Sequence, residues 1–128
     1  MTASQYDLVV IGAGAGGLTA AKFAAKIGAR VALIERDRLG GDCTWTGCIP
    51  SKSLIRVAKV AHDARVGARF GVTVGALAVD MHRVRAYVQG VVRDVYDAEP
   101  AEALERQGID VLFGGATFED AHRVRIGD

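Results

Sequence analysis

Two cysteines, two prolines and a single tryptophan are all that this 128-residue chain holds of those residue types, and aromatic side chains make up only 6% of it. With so few rings there is no platform on which nucleobases would stack. Charge of one sign is missing as well. The net charge of +1 is too small to gather nucleic acid or anionic lipid, so neither is an expected partner. The most apolar stretch, residues 8–21, covers 14 positions and is broken by Gly12, Gly14, Gly16 and Gly17, too short and too glycine-rich for a bilayer-spanning helix. The first residues supply neither the basic start nor the small-residue cleavage site of a secretory leader, and a cytoplasmic location is expected. Histidine is scarce too. His62 and His82 fall on helical faces and His122 in a hairpin turn, all read as solvated, and no metal site is expected.

What the chain has is a balanced mixture, 50% hydrophobic and 24% charged, sufficient for one domain with its own core. Residues 7–11 (DLVVI) read as a buried parallel strand ending at glycines. A helical pattern follows, with Leu18, Ala21, Ala25 and Ile27 on the inner stripe, Lys22 and Lys26 on the wet side, and Gly28 as the stop. Residues 31–34 form a second buried strand that finishes on Glu35, completing a β–α–β unit whose crossover is right-handed. Beyond it the spacing predicts a helix over 51–68 with Leu54, Ile55, Ala58 and Ala61 inward, and a long helix over 80–96. A short helix after Pro100, a strand over 109–113 and a hairpin pairing 116–118 with 124–126 complete the pattern. The fold class is therefore α/β: a Rossmann-like β–α–β fold with a parallel sheet, inserted helices and a C-terminal β-hairpin.

Two stretches carry chemistry. The first, GAGAGG, places Gly12, Gly14 and Gly17 in a G-x-G-x-x-G pattern between strand and helix. The three glycines serve a tight turn, close approach of backbone to phosphate, and close helix–strand packing. The helix N-terminus, with Gly16 in its first turn, offers unpaired N–H groups to a diphosphate. Glu35 stands 18 residues past Gly17 at a strand end, where a carboxylate accepts hydrogen bonds from an adenosine ribose. Arg36 beside it makes a 2′-phosphate conceivable, but the acidic residue favours an unphosphorylated ribose, as in FAD or NAD. The motif does not separate those two.

The second stretch, GGDCTWTGCIPSK, holds both cysteines. On a continuous α-helix Cys43 and Cys48 would sit about 8–9 Å apart at Cα, too far for a disulfide. Gly47 and Pro50 permit the distortion that brings them together, and Pro50 suits the first turn of the following helix. Cys48 then lies at that helix's N-terminus, which favours a thiolate, with Lys52 adding positive charge one turn in. Two inert buried thiols, a metal pair or a structural bridge are the alternatives. A metal lacks further ligands at workable spacing, and a reducing compartment disfavours a staple. A redox pair fits best.

Taken in order, DLVVIGAGAGG with LIER, then GGDCTWTGCIPSK, then GGATF, the chain resembles the class I pyridine nucleotide-disulfide oxidoreductases, which include dihydrolipoamide dehydrogenase, glutathione reductase and mercuric reductase. The resemblance covers essentially all 128 residues and implies an FAD-binding fold, with the glycine turn and Glu35 holding the ADP half of FAD. It implies that Gly41, Asp42, Gly115 and Ala116 also contact the cofactor. It makes Cys43 the thiol that exchanges with substrate, Cys48 the flavin-facing thiol, and Lys52 the cation beside the flavin. Electrons would pass from NAD(P)H through FAD to a Cys43–Cys48 disulfide, then to a small-molecule or small-protein disulfide or dithiol, or to a metal ion such as mercuric ion. Relatives commonly carry threonine where Asp42 stands, and a carboxylate there repels phosphate unless it turns away, for example to cap a helix. The resemblance further implies that residues 1–128 are the N-terminal portion of an FAD-binding domain. The NAD(P)-binding and dimerisation domains of these homodimeric enzymes fall outside it, so the fold is incomplete relative to the family. The alternative is an FAD- or adenine-nucleotide-binding fragment with no catalysis of its own.

Overall fold

The computed structural model describes residues 4–127. Its centre is a three-stranded parallel sheet ordered β1–β2–β3, with β1 at Leu8–Ile11, β2 at Val31–Glu35 and β3 at Ile109–Phe113. Leu8 pairs with Val31 and Val31 with Ile109, so all three strands end at the same edge. Residues 31–34 of the middle strand are fully buried, as an unbroken apolar run with a strand on either side demands. Only Glu35 emerges at its tip.

Helix α1, Ala15–Lys26, crosses over from β1 to β2 and rests on the sheet through Ala21 and Ala24. Alanines let the helix approach closely, and the core they join comprises Ala13, Val31, Leu33, Leu39, Leu104 and Ile109. Gly28, at φ +91°, turns the chain out of the helix with a conformation that glycine adopts without strain.

Between β2 and β3 lie α2 at Gly41–Trp45, α3 at Cys48–Val66, a 3₁₀ turn at Gly67–Phe70, α4 at Met81–Asp97 and α5 at Ala101–Glu105. Asp80 caps α4, its Oδ1 accepting from the N–H groups of His82 (2.9 Å) and Arg83 (3.2 Å). After β3 the chain forms the expected hairpin, β4 at Gly115–Phe118 antiparallel to β5 at Val124–Gly127.

Four packing expectations are corrected. Strand β1 is parallel but not buried: Leu8, Val9 and Ile11 are exposed because β1 pairs on one side only, at the edge of the sheet. Ile27 is exposed beyond the end of α1, where the chain is already turning away. Lys22 is half-buried and ion-paired with Glu99 rather than simply solvated. In α3 the inward face is Ser53, Val57, Ala61 and Ala64, while Leu54, Ile55 and Ala58 look outward. Helix α3 packs on α2 and α4, and that contact, not its richest apolar stripe, sets its rotation.

Candidate cofactor and redox site

The glycine turn forms where β1 stops. Gly12, at φ +94°, donates its N–H to Ile34 C=O at 2.8 Å, which fastens the turn to β2. Gly17 sits directly below: a Cβ there would lie 1.8 Å from Gly12 O. Gly16 has open space around it. Within α1 the Leu18 N–H bonds to Gly14 C=O at 2.9 Å, and no side chain caps the helix. The N–H groups of Ala15, Gly16 and Gly17 are therefore left for solvent or a ligand.

Glu35 reaches across to this turn. Its Oε2 accepts from the Ala13 N–H at 2.8 Å and its Oε1 from the Asp37 N–H at 2.9 Å. Burial pushes the Glu35 carboxyl up, but the N–H groups of Ala13, Asp37 and Arg36 and the charge of Arg36 outweigh it, leaving the group below the ordinary carboxylate value. The Ala13 C=O in turn accepts from the Gly40 N–H at 2.8 Å, tying the turn to the segment that begins α2. Gly41 packs its backbone against Gly14, so closely that a Cβ on Gly41 would lie 2.7 Å from Gly14 Cα.

These contacts shape a cleft of about 610 Å³ at the carboxyl ends of the strands. It brings together Gly12, Gly14, Glu35, Arg36, Gly41, Asp42, Gly115 and Ala116 of the expected residues. Gly114 completes that wall, its N–H bonded to Glu35 C=O at 2.9 Å. Gly16, Gly17, Cys43, Cys48 and Lys52 are not among its lining residues. Asp42 is exposed and lines the cleft, and its carboxylate accepts no helix-capping hydrogen bond among the described residues.

Sequence reasoning missed Asp37, Arg38, Trp45 and Thr46 as cleft residues. Trp45 donates its indole N–H to Leu39 C=O at 2.8 Å, lies 5.0 Å from the Tyr96 ring, and carries the Arg38 guanidinium 3.9 Å above its own ring. The chain's one tryptophan, set between two cysteines, was the available signal.

The cysteines are joined as a disulfide, with Cα atoms 4.6 Å apart. That approach requires a break in the helix. Helix α2 ends at Trp45, Gly47 donates its N–H to Asp42 C=O, and α3 starts afresh at Cys48. A Cβ on Gly47 would lie 3.0 Å from Asp42 O, so a larger residue would press against the fold-back. Helix α3 begins three residues earlier than expected, with Pro50 third in its first turn, where no N–H is needed. Lys52 is exposed on α3. The histidines are exposed as expected, and no cluster of candidate metal ligands occurs among the described residues.

The pattern of the pyridine nucleotide-disulphide oxidoreductase family matches residues 6–128. The chain belongs to that family. Family members are FAD-dependent oxidoreductases that use NAD(P)H. The chain is 39% identical over 112 residues to a dihydrolipoyl dehydrogenase of Bacillus subtilis, covering 88% of this chain and 23% of that protein. It is 36% identical to a glutathione reductase of Nostoc sp., covering 97% and 27%, and 31% identical to a mercuric reductase of Lysinibacillus sphaericus, covering 95% and 22%. Among solved structures it is similar to the HOCl-induced flavoprotein disulfide reductase RclA from Escherichia coli, studied as a copper(II) complex. The TM-score is 0.75 and the identity 30%, over 98% of this chain and 25% of that one. The chain thus spans about a quarter of the length of these relatives. The family's cofactor fits the backbone present: the first N–H groups of α1 have no side-chain cap and are free for a diphosphate, and the Glu35 carboxylate stands beside the turn at the position for a ribose.

Proposed function

We propose that this chain is the N-terminal portion of an FAD-binding domain in an NAD(P)H-dependent disulfide oxidoreductase, with Cys43–Cys48 as its redox-active disulfide. The observation that carries the reading is the backbone tie from Ala13 to Gly40, which sets the cysteine-bearing helices directly on the glycine turn. In this reading Gly12, Gly14, Gly16 and Gly17 accommodate the cofactor diphosphate, Glu35 and Arg36 the ribose side, and Gly115 and Ala116 the adenine side. Gly41 and Asp42 flank the diphosphate. FAD, when bound, would supply a two-electron relay between NAD(P)H and the disulfide.

The chain's own chemistry is thiol–disulfide exchange. In the reduced protein the Cys43 thiolate attacks a sulfur of a substrate disulfide, forming a mixed disulfide and releasing one substrate thiolate, which takes a proton. The Cys48 thiolate then attacks Cys43 Sγ, restoring the intramolecular disulfide and expelling the second substrate thiolate. Lys52 holds positive charge near this pair. The substrate class is a disulfide or dithiol, with mercuric ion as an alternative suggested by one relative's name. A cytoplasmic, homodimeric enzyme is part of the same proposal.

The test is spectroscopic. The purified chain should be yellow with flavin absorption, and dithionite should raise a long-wavelength band that Cys48→Ser abolishes. Colour without that band favours the second reading, a nucleotide-binding fragment without catalysis. A colourless chain that does not take up added FAD overturns both.

A further inference from the structure

The backbone of the cleft suits the diphosphate proposed for it, but the side chains lining it include three acids to two cations. Glu35, Asp37 and Asp42 line it against Arg36 and Arg38. Two backbone N–H groups absorb the charge of Glu35. Asp42 has no such partner: it is exposed, lines the cleft, and its side chain makes no hydrogen bond or ion pair among the described residues. An anion placed there meets a like charge.

Of the two cations, only Arg38 is fixed. Its guanidinium lies 3.9 Å from the centre of the Trp45 ring, and Trp45 is itself held by Leu39 and Tyr96. Stacking on an indole face uses the flat of the guanidinium and leaves its N–H edge available. The Arg38 Nε forms an ion pair with the exposed Asp37 carboxylate at 3.7 Å, too long for a hydrogen bond. Arg38 is thus an anchored cation whose guanidinium donates no hydrogen bond among the described residues, and it lines the same cleft as Asp42.

We infer that Arg38, seated on Trp45, is the counter-cation that lets this cleft accept an anionic diphosphate in spite of Asp42. The inference rests on the reading of the cleft as a site for the ADP half of a dinucleotide. It adds a binding residue outside the glycine turn and gives the tryptophan between the cysteines a purpose.

Isothermal titration calorimetry of the 128-residue chain with ADP and with adenosine tests it. Arg38→Gln should weaken ADP about tenfold and leave adenosine unchanged, the size expected for one charge-assisted contact. Arg38→Lys should recover part of the loss. Asp42→Asn should tighten ADP, and combined with Arg38→Gln should restore most of the lost affinity. Unchanged ADP affinity in Arg38→Gln, or an equal loss for ADP and adenosine, overturns the role of Arg38 while leaving the cleft assignment standing. If the unsubstituted chain binds neither probe, the cleft assignment falls and takes this inference with it.

Discussion

At the scale of single residues, Glu35 and the two neighbouring glycines of the turn do separable things. Glu35→Gln puts an amide N–H against a backbone N–H and leaves one donor without an acceptor, so it should lower stability by about 1–3 kcal/mol in urea unfolding. Because the folded Glu35 carboxyl lies below its ordinary value of 4.5, its contribution is complete above that value and drains away as pH falls through the folded one. Urea midpoints followed from about pH 6 to about pH 3 should therefore fall less steeply in Glu35→Gln than in the parent. Gly17→Ala forces a methyl group into Gly12 O and should cost about 3 kcal/mol or more, whereas Gly16→Ala, in open space on the helix, should be neutral or stabilising by up to about 1 kcal/mol. Thermal melts of the pair decide whether the motif's third glycine is there for packing. The motif spacing made Gly12, Gly14, Gly17 and Glu35 readable from sequence. That Glu35 holds Ala13 was not, since it depends on where a side chain points.

At the scale of elements, the cysteine-bearing helices are tied to the glycine turn through backbone, by Gly40 to Ala13 and Gly41 to Gly14. Gly41→Ala meets two obstacles together, a φ of +56° and a backbone 2.7 Å from the new Cβ. It should destabilise the chain by about 2 kcal/mol or more and weaken ADP binding, read by melts and calorimetry. A loss of stability with ADP affinity intact would mean that the contact matters to folding alone. Sequence pattern made α1, α4, the strands and the hairpin plain, because each is long enough, or alternates strongly enough, to show a period. Helix α2 was invisible: five residues starting at Gly41 carry no period, and only the neighbouring turn gives the segment its shape. The rotation of α3 was misread for a related reason, its neighbours α2 and α4 selecting the Ser53 and Val57 face over the more apolar Leu54 and Ile55.

At the scale of the whole molecule, the sheet has an open side among the described residues. The outer edge of β1 carries unpaired backbone and exposed Leu8, Val9 and Ile11, and Phe23, Ile27, Phe70 and Phe118 add apolar surface elsewhere. An edge of that kind invites strand pairing, so the chain should self-associate with rising concentration in sedimentation velocity, and Val9→Lys should suppress it. Monomeric behaviour at every concentration would contradict this. The placement of Trp45 has an optical consequence. A lone indole wedged between a guanidinium and a tyrosine ring, one turn of chain from the disulfide, should emit differently when the cleft fills, when the cysteines are reduced and when the chain unfolds. The protein therefore carries its own fluorophore at the junction of its two sites, and both can be watched in one cuvette without a dye.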